Sequence, residues 1–448
     1  MILGDFMAIF SLVCIIIAII FINYSMYRGM SLPLACIIGT IFICITSGLD
    51  IQTTYQSAMD SSVAAMMVTY APLFFFGGIL GMFYSESGAI TSLGEAILAP
   101  SRKIQNPAVK MMVTMLLFFV IRTLLSLAGI DGMAIMPTVC ALAISVFKEL
   151  DAPRKYLSAI LQCGGTISMF LPFAPGGANI ILPMLLPGFT PGTAWAWRLF
   201  FLALFAIGSV VWITKMIQKD QANGEHFEMG KMLPIPINES NYRPHWIVTL
   251  IPIALIVVLY NVFGMAAWLA LAGGTALAAV MFFRYIPIPE GRGKLATIVD
   301  KCNNAGVMIS VLLTFSYLPG IAITMSPAYD LVLSLANNIA VTLPLAVGFG
   351  ILAVFLVIMG NSCTIVLCDL ANNIFLPAGL ALPTLSILMI VGNTVFDTLP
   401  NSPFLSAQAQ MLDSPMPESY PPIFKTTVLM TSAMMVLAII LAACGIIG

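Results

Sequence analysis

Charge is the scarcest property of this chain: 8% of its 448 residues are charged, while 60% are hydrophobic. A soluble globular domain carries about 25% charged residues, so most of this surface cannot face water, and lipid must be its solvent. Histidine occurs only twice, at His226 and His245, both in one polar stretch. There is no His-Glu-x-x-His, and no histidine lies inside an apolar run. That removes zinc-protease chemistry within the membrane and any intramembrane Ser/His dyad, so the chain is not expected to be an enzyme. None of the nine cysteines forms a C-x-x-C pair, and most sit in apolar runs, as at Cys14, Cys36, Cys44 and Cys444. They read as small core residues rather than disulfides or metal ligands. No cofactor and no nucleic-acid partner are expected.

What is present is a series of apolar runs of about 20 residues, the length a helix needs to cross the hydrocarbon core. The first, about residues 6–22, has no basic leader before it and no small-residue cleavage site after it. It reads as a span and not a signal peptide. Full spans are expected near 6–27, 31–48, 63–83, 156–186, 197–216, 246–264, 266–284, 303–325, 384–410 and 426–447. Two stretches, 109–150 and 344–378, are too long for one crossing, and each has a polar, glycine-containing break. The breaks are Gly129-Ile130-Asp131-Gly132 and Gly360-Asn361-Ser362-Cys363-Thr364. Both stretches read as re-entrant hairpins, whose non-helical tips are tolerated at membrane depth only when buried or lining a polar cavity. With Arg28 inside, nearly all Lys and Arg residues fall on the cytoplasmic side, Arg122 and Arg198 excepted. No Lys or Arg occurs between Lys301 and Lys425, so the second hairpin is expected to open outward and the first, flanked by Lys110, Lys148 and Arg154, inward. The expected setting is a bacterial-type inner membrane. The two histidines, in a cytoplasmic linker, read as solvated residues without a role.

A shift of 228 residues superimposes the two halves: Gly132 on Gly360, Phe147 on Phe375, Gly164 on Gly392, Thr166 on Thr394, Leu171-Pro172 on Leu399-Pro400 and Pro175 on Pro403. A slightly longer shift aligns Gly78-Ile79 with Gly320-Ile321 and Ser92-Leu93 with Ser334-Leu335. The expected fold is therefore an all-α integral membrane protein of about ten transmembrane helices plus two re-entrant hairpins. Residues 1–216 form a first inverted repeat, 217–245 a linker, and 246–448 a second repeat. Inverted repeats with broken helices are the signature of secondary transporters, whose site lies near the midplane.

Four breaks are expected to converge: the two hairpin tips and two discontinuous spans, Gly164-Gly165-Thr166 through Pro175 to Asn179, and Gly392-Asn393-Thr394 through Asp397 to Pro403. Glycine lets backbone approach a ligand and proline removes an intrahelical hydrogen bond. A half-helix starting at such a break offers its positive end to a carboxylate. Side chains of Asn361, Ser362, Thr364, Asn393, Thr394, Asn401 and Ser402 can add hydrogen bonds. The structural alternative is a set of kinks capped by Ser and Asn. Charges at mid-membrane cost at least about 2.5–3.5 kcal/mol, so each should meet a cavity or a partner. Arg122 offers a bidentate fork to a substrate carboxylate or, alternatively, a structural pair to a helix-end carbonyl or an Asp. Asp131 and Asp397 are candidates for carrying a proton or ligating sodium, against a capping role. Asp369 lies in the second hairpin, and Glu86 is expected at an aqueous boundary.

These segments resemble, in order and over nearly the whole chain, the GntP gluconate permease family of the ion transporter superfamily. Phe76-Gly77-Gly78-Ile79-Leu80-Gly81-Met82 with Glu86-Ser87-Gly88 resembles its glycine-rich span and following turn. Phe170-Leu171-Pro172-Phe173-Ala174-Pro175-Gly176 resembles its Phe-Leu-Pro-Pro-His-Pro-Gly stretch. Gly360-Asn361-Ser362-Cys363-Thr364 resembles its Gly-Ser-Ala-Thr tip, and Asn401-Ser402-Pro403-Phe404 its Asn-Asp-Pro-Gly-Phe segment. The resemblance implies uptake of a hydroxy or sugar acid with protons, a moving transport domain with both hairpins working elevator-fashion, and a homodimer. This chain departs from the family pattern at Ser168-Met169 and Phe173, where two histidines are missing, and at Asp397, near another. Arg122 lies in the first hairpin, whereas the family tends to place an arginine before the second tip. The function expected is a permease for a small organic carboxylate. The rival is a sodium/proton or other ion antiporter, to which Asp131 and Asp397 also fit. A passive channel would show no gradient-driven accumulation.

Overall fold

The computed structural model describes residues 2–28, 30–60, 62–129, 136–176, 178–228, 242–287, 293–302, 318–357, 362–395, 397–399 and 416–447, with 402, 405, 408 and 412. Among them there is no strand. The first half holds α1 (Ile2–Tyr27), α2 (Leu32–Thr46), α3 (Ile51–Asp60), α4 (Ser62–Glu86) and α5 (Ala89–Leu98). It continues with α6 (Pro107–Leu127), α7 (Met136–Glu149), α8 (Leu157–Phe170), α9 (Ala178–Leu185) and α10 (Trp195–Ala222). The second holds α11 (Trp246–Asn261), α12 (Ala267–Phe282), α13 (Leu318–Thr324), α14 (Ala328–Thr342), α15 (Leu345–Val357) and α16 (Ser362–Leu370). It ends with α17 (Leu382–Val395), α18 (Met416–Ile423) and α19 (Met430–Ala443). Residues 294–302 are also helical.

Local chemistry sets the boundaries. Asn106 caps α6, its Oδ1 accepting from the N–H groups of Ala108 and Val109, with Pro107 in the first turn, where its missing N–H costs nothing. Gly88, at φ +75°, makes the turn between α4 and α5, a conformation glycine adopts without strain. Among the described residues, five helices are long and apolar enough to cross a membrane, or up to seven if each of two bent pairs is one span. Exposed Phe6, Ile9, Ile20, Ile207, Val280 and Val436 line the outside of these helices, the surface expected of a chain solvated by lipid. The protein is a multi-pass membrane protein.

Several expectations need adjustment. The span at 31–48 ends at Thr46 and turns by 118° into α3, whose start is fixed by Asp50 accepting from Thr53 N–H at 2.7 Å. The first arm of the first hairpin, α6, runs 21 residues and by length qualifies as a complete crossing, whereas the second hairpin's first arm, α15, has 13. Of the expected tips, Gly129 is a turn residue and Ser362–Thr364 already belong to α16, while residues 130–135 and 358–361, the first part of the span at 303–325 and most of 400–415 lie outside the described residues.

Packing between the halves is reciprocal. α1 lies on α2, and α11 on α12. α4 packs on α12, and α13 on α2; α5 packs on α11, and α14 on α1. Thus the fourth and fifth helices of each half, counting the helix at 294–302, rest on the first two of the other. The α4/α12 contact is pinned by Thr275 Oγ1 donating to Phe76 O at 3.2 Å and by the Tyr84 ring standing edge-on to Phe282 at 5.2 Å. Within each half a further triad repeats: α6, α8 and α10 in the first, α15, α17 and α19 in the second. The triads meet through α8 against α17 and α10 against α19.

Candidate functional site

The break after α8 is the best defined part of the site. The helix ends at Phe170, Phe173 takes a left-handed φ of +61°, and α9 resumes at Ala178. Helix ends leave carbonyls without intrahelical partners. Here Arg198, on α10, supplies the donors: Nε to Phe170 O at 3.3 Å, Nη2 to Leu171 O at 2.7 Å and Nη1 to Pro191 O at 3.0 Å. Nη1 also donates to Asn179 Oδ1 at 2.7 Å, while Asn179 Nδ2 donates to Leu171 O and Ala174 O, both at 2.9 Å. Asn261 Nδ2 holds Phe173 O at 3.1 Å from α11. Asn179, expected among the ligand-facing residues, has both ends of its amide engaged here, Oδ1 by Arg198 of α10 and Nδ2 by carbonyls of the break.

Arg198, which the sequence sets apart from the cytoplasmic cations, lies in the first turn of α10 and is fully buried. A guanidinium, with five donors in a fixed fork, suits a stretch where several carbonyls converge. The sequence signal was its position: an arginine against the positive-inside bias, shortly after a Pro-rich break.

Arg122 and Gly164 are brought together. Arg122 is buried on α6, and its side chain crosses Gly164 so closely that a Cβ there would stand 2.9 Å from Arg122 Cγ. The equivalent place in the other half has α15 against α17, where a Cβ on Gly392 would stand 2.9 Å from Ala353 Cβ. Gly129, at φ +66° where the first hairpin leaves α6, sits on Pro175: a Cβ would lie 2.9 Å from Pro175 O. From the second hairpin, Asn372 Nδ2 donates to Leu185 O at the end of α9, 2.8 Å away. So the first break touches the first hairpin, α9 beyond it touches the second, and α8 before it packs on α17, the helix that leads into the second break.

Other expected residues divide. Gly165 is half-buried, its carbonyl taking Ser168 Oγ at 2.5 Å, and buried Thr166 donates to Gln162 O at 3.2 Å. Thr394 is fully buried, donating to Val391 O at 2.7 Å while its carbonyl accepts from Thr431 at 3.3 Å. Thr364 and Ser402 are buried; Asn393 and Asp397 are half-buried. Asp131, Gly132, Gly360, Asn361 and Asn401 lie outside the described residues, as does the Ser362 side chain. Asp369 is held by Tyr329 OH and by Asn373 Nδ2 at 2.9 Å. Glu86 pairs with Lys301 at 2.6 Å. Among the described residues no His, Cys, Asp and Glu group could hold a metal ion.

A polar seam beside the second break carried no sequence signal. Thr398 and Thr427 hydroxyls lie 2.5 Å apart, and Thr426 donates to Pro422 O at 2.8 Å. Gln162 Nε2 donates to Gln408 Oε1 at 3.1 Å. Thr426 and Thr427 lie in a π-helical turn, Phe424–Leu429, and a second such turn, Ala371–Phe375, interrupts the second hairpin. Single π turns in α-helices occur frequently at functional sites.

No family model matches the chain. It is 22% identical over 221 residues, 48% of its length, to the uncharacterized transporter YxjC of Bacillus subtilis (strain 168), and the match spans 44% of that relative. By structure it resembles the Alcanivorax borkumensis YdaH transporter, whose crystal structure is described as having an unusual topology. That similarity has a TM-score of 0.53 at 14% identity and covers 89% of this chain and 90% of the other. The chain therefore has a membrane-transporter fold.

Proposed function

We propose that this protein is a secondary active permease for a small organic carboxylate, such as a sugar acid or hydroxy acid, coupled to protons or sodium. The observation that carries the reading is a pair of contacts between α6 and the first broken span, Arg122 against Gly164 and Gly129 against Pro175. A buried arginine lies against α8, the helix that leads into the opened backbone after Phe170, and a guanidinium and an opened helix end both attract a carboxylate. The reciprocal packing of the halves supports an inverted repeat with boundaries at 1–216 and 246–448, joined by a cytoplasmic linker in an inner membrane. The carboxylate would be carried by the hairpins and broken spans in an elevator movement within a homodimer, with Asp131 and Asp397 as candidate coupling residues. Ion antiport is the second reading, favoured by Asp397, which precedes Thr398 in the chain, where the Thr398 hydroxyl meets that of Thr427.

A thermal-shift screen of the purified protein against small carboxylates, with and without sodium at two pH values, tests the proposal, because a ligand that binds the folded state raises its apparent stability. A shift with one hydroxy or sugar acid, matched by gradient-driven uptake into proteoliposomes, is the expected result. A response to sodium or pH alone, with no carboxylate shift, would turn the assignment to ion antiport.

A further inference from the structure

The span Ala267–Tyr285 leaves the apolar layer at a knot of cations and rings. Val280 is 80% exposed and Phe283 37%, so this side of the span faces lipid. Next to Phe283 stands exposed Arg284, its guanidinium 4.6 Å from the Tyr285 ring centroid and its Nη2 donating to Tyr285 OH at 2.6 Å. Tyr285 in turn packs on Tyr242 at 4.9 Å. Lys294, the first residue of the helix at 294–302, donates to Arg284 O at 3.5 Å and lies 4.7 Å from the Phe283 ring centroid.

The neighbouring cations have acidic partners: Lys301 pairs with Glu86 and Arg243 with Glu95, each at 2.6 Å. Arg284 and Lys294 have none among the described residues; their contacts are rings, a hydroxyl and a carbonyl. Two cations without acids, set on an aromatic platform at the end of a lipid-facing span, match an anion that arrives attached to an apolar tail. Tyrosine favours this depth, where one end of the ring is apolar and the other wet. The first N–H groups of the helix at Lys294 add a positive bias.

We propose that this corner binds an anionic phospholipid, its phosphate between Arg284 and Lys294 and its acyl chains along Val280 and Phe283. The assignment rests on the membrane setting alone and not on the transported substrate. The test uses the full chain purified in detergent, with retained lipid counted by native mass spectrometry. Phosphatidylglycerol should be kept in preference to phosphatidylcholine of the same chains. Arg284→Gln combined with Lys294→Gln should reduce that preference by roughly fivefold per cation removed, as for a basic residue at an anionic surface, with the melting temperature in detergent unchanged. If the double variant does not fold, Lys294→Gln alone should give the smaller loss and Arg284→Lys should keep the preference. Equal retention of the two lipids, or retention unaltered in the variants, would overturn the proposal. So would full displacement of phosphatidylglycerol by millimolar inorganic phosphate, which would mark a free-anion site.

Discussion

Arg122 lies across the bare backbone of Gly164, with its Cγ 2.9 Å from where a β-carbon would stand. The absence of one methyl group therefore sets the path of a buried cation across α8.

Gly164→Ala should push the arginine stem aside. Overpacking of this kind costs about 1–3 kcal/mol, and Gly392→Ala, against Ala353, should cost a similar amount. The two variants should differ in transport: only Gly164→Ala moves a charged group, so only it should raise KM for the carboxylate. Equal KM changes in both would assign the contact to packing alone. Arg122→Ala should abolish uptake while leaving folded protein in the membrane.

Arg198→Ala should remove donors from Phe170 O, Leu171 O and Pro191 O at once. A buried acceptor left without a partner costs about 1–3 kcal/mol, so the variant should lose much of its thermal stability. Arg198→Lys keeps the charge but not the fork, and should recover only part of it. A melting curve as high as that of the parent protein would refute the clamp.

Gln162 and Gln408 offer a test by pairs. Either residue changed to Leu leaves its buried partner's amide stranded, costing about 1–3 kcal/mol, whereas changing both removes the need for the bond. The double variant should be more stable than either single one. Additive losses would mean that the amides do not act as a pair.

The linker meets the first half at Asp151, whose carboxylate accepts from Phe227 N–H at 3.1 Å and faces His226 Nδ1 at 2.6 Å. The Phe227 amide, and then His226, hold the Asp151 carboxyl below the ordinary carboxylate range. A depressed carboxylate pKa contributes order that is complete above the unfolded value, about 3.9, and is lost as pH falls through the folded one. Hydrogen exchange at residues 222–228 should therefore stay slow at neutral pH and rise only below about pH 4. Asp151→Asn should raise it at neutral pH, and no change in that variant would show that the linker is held elsewhere.

The apolar spans and the glycine-proline breaks were legible in the sequence because lipid imposes a length on helices and a penalty on open backbone, and both leave marks along the chain. The break at Pro172–Gly176 falls where glycine and proline placed it, and Gly88 makes the turn that the family resemblance implies. The burial of Arg198 was not legible, since its partners Asn179 and Pro191 are defined only once the break is folded. The same holds for the bend after Thr46, the π turn at Thr426 and the Gln162–Gln408 bond, whose members are far apart in the chain. His226, expected to be solvated, is indeed exposed but is also paired with Asp151.

The crossed packing of the halves has a consequence for biosynthesis. During synthesis α4 is complete long before α12 exists, yet α12 is the helix that covers it. The first half must therefore wait in the bilayer with α4 uncovered, and α5 lacks α11. Neither half should reach its native arrangement when made alone, whereas the two halves produced as separate chains in one cell should find each other. A cut within the linker would then be tolerated, and a cut between α4 and α5 would not.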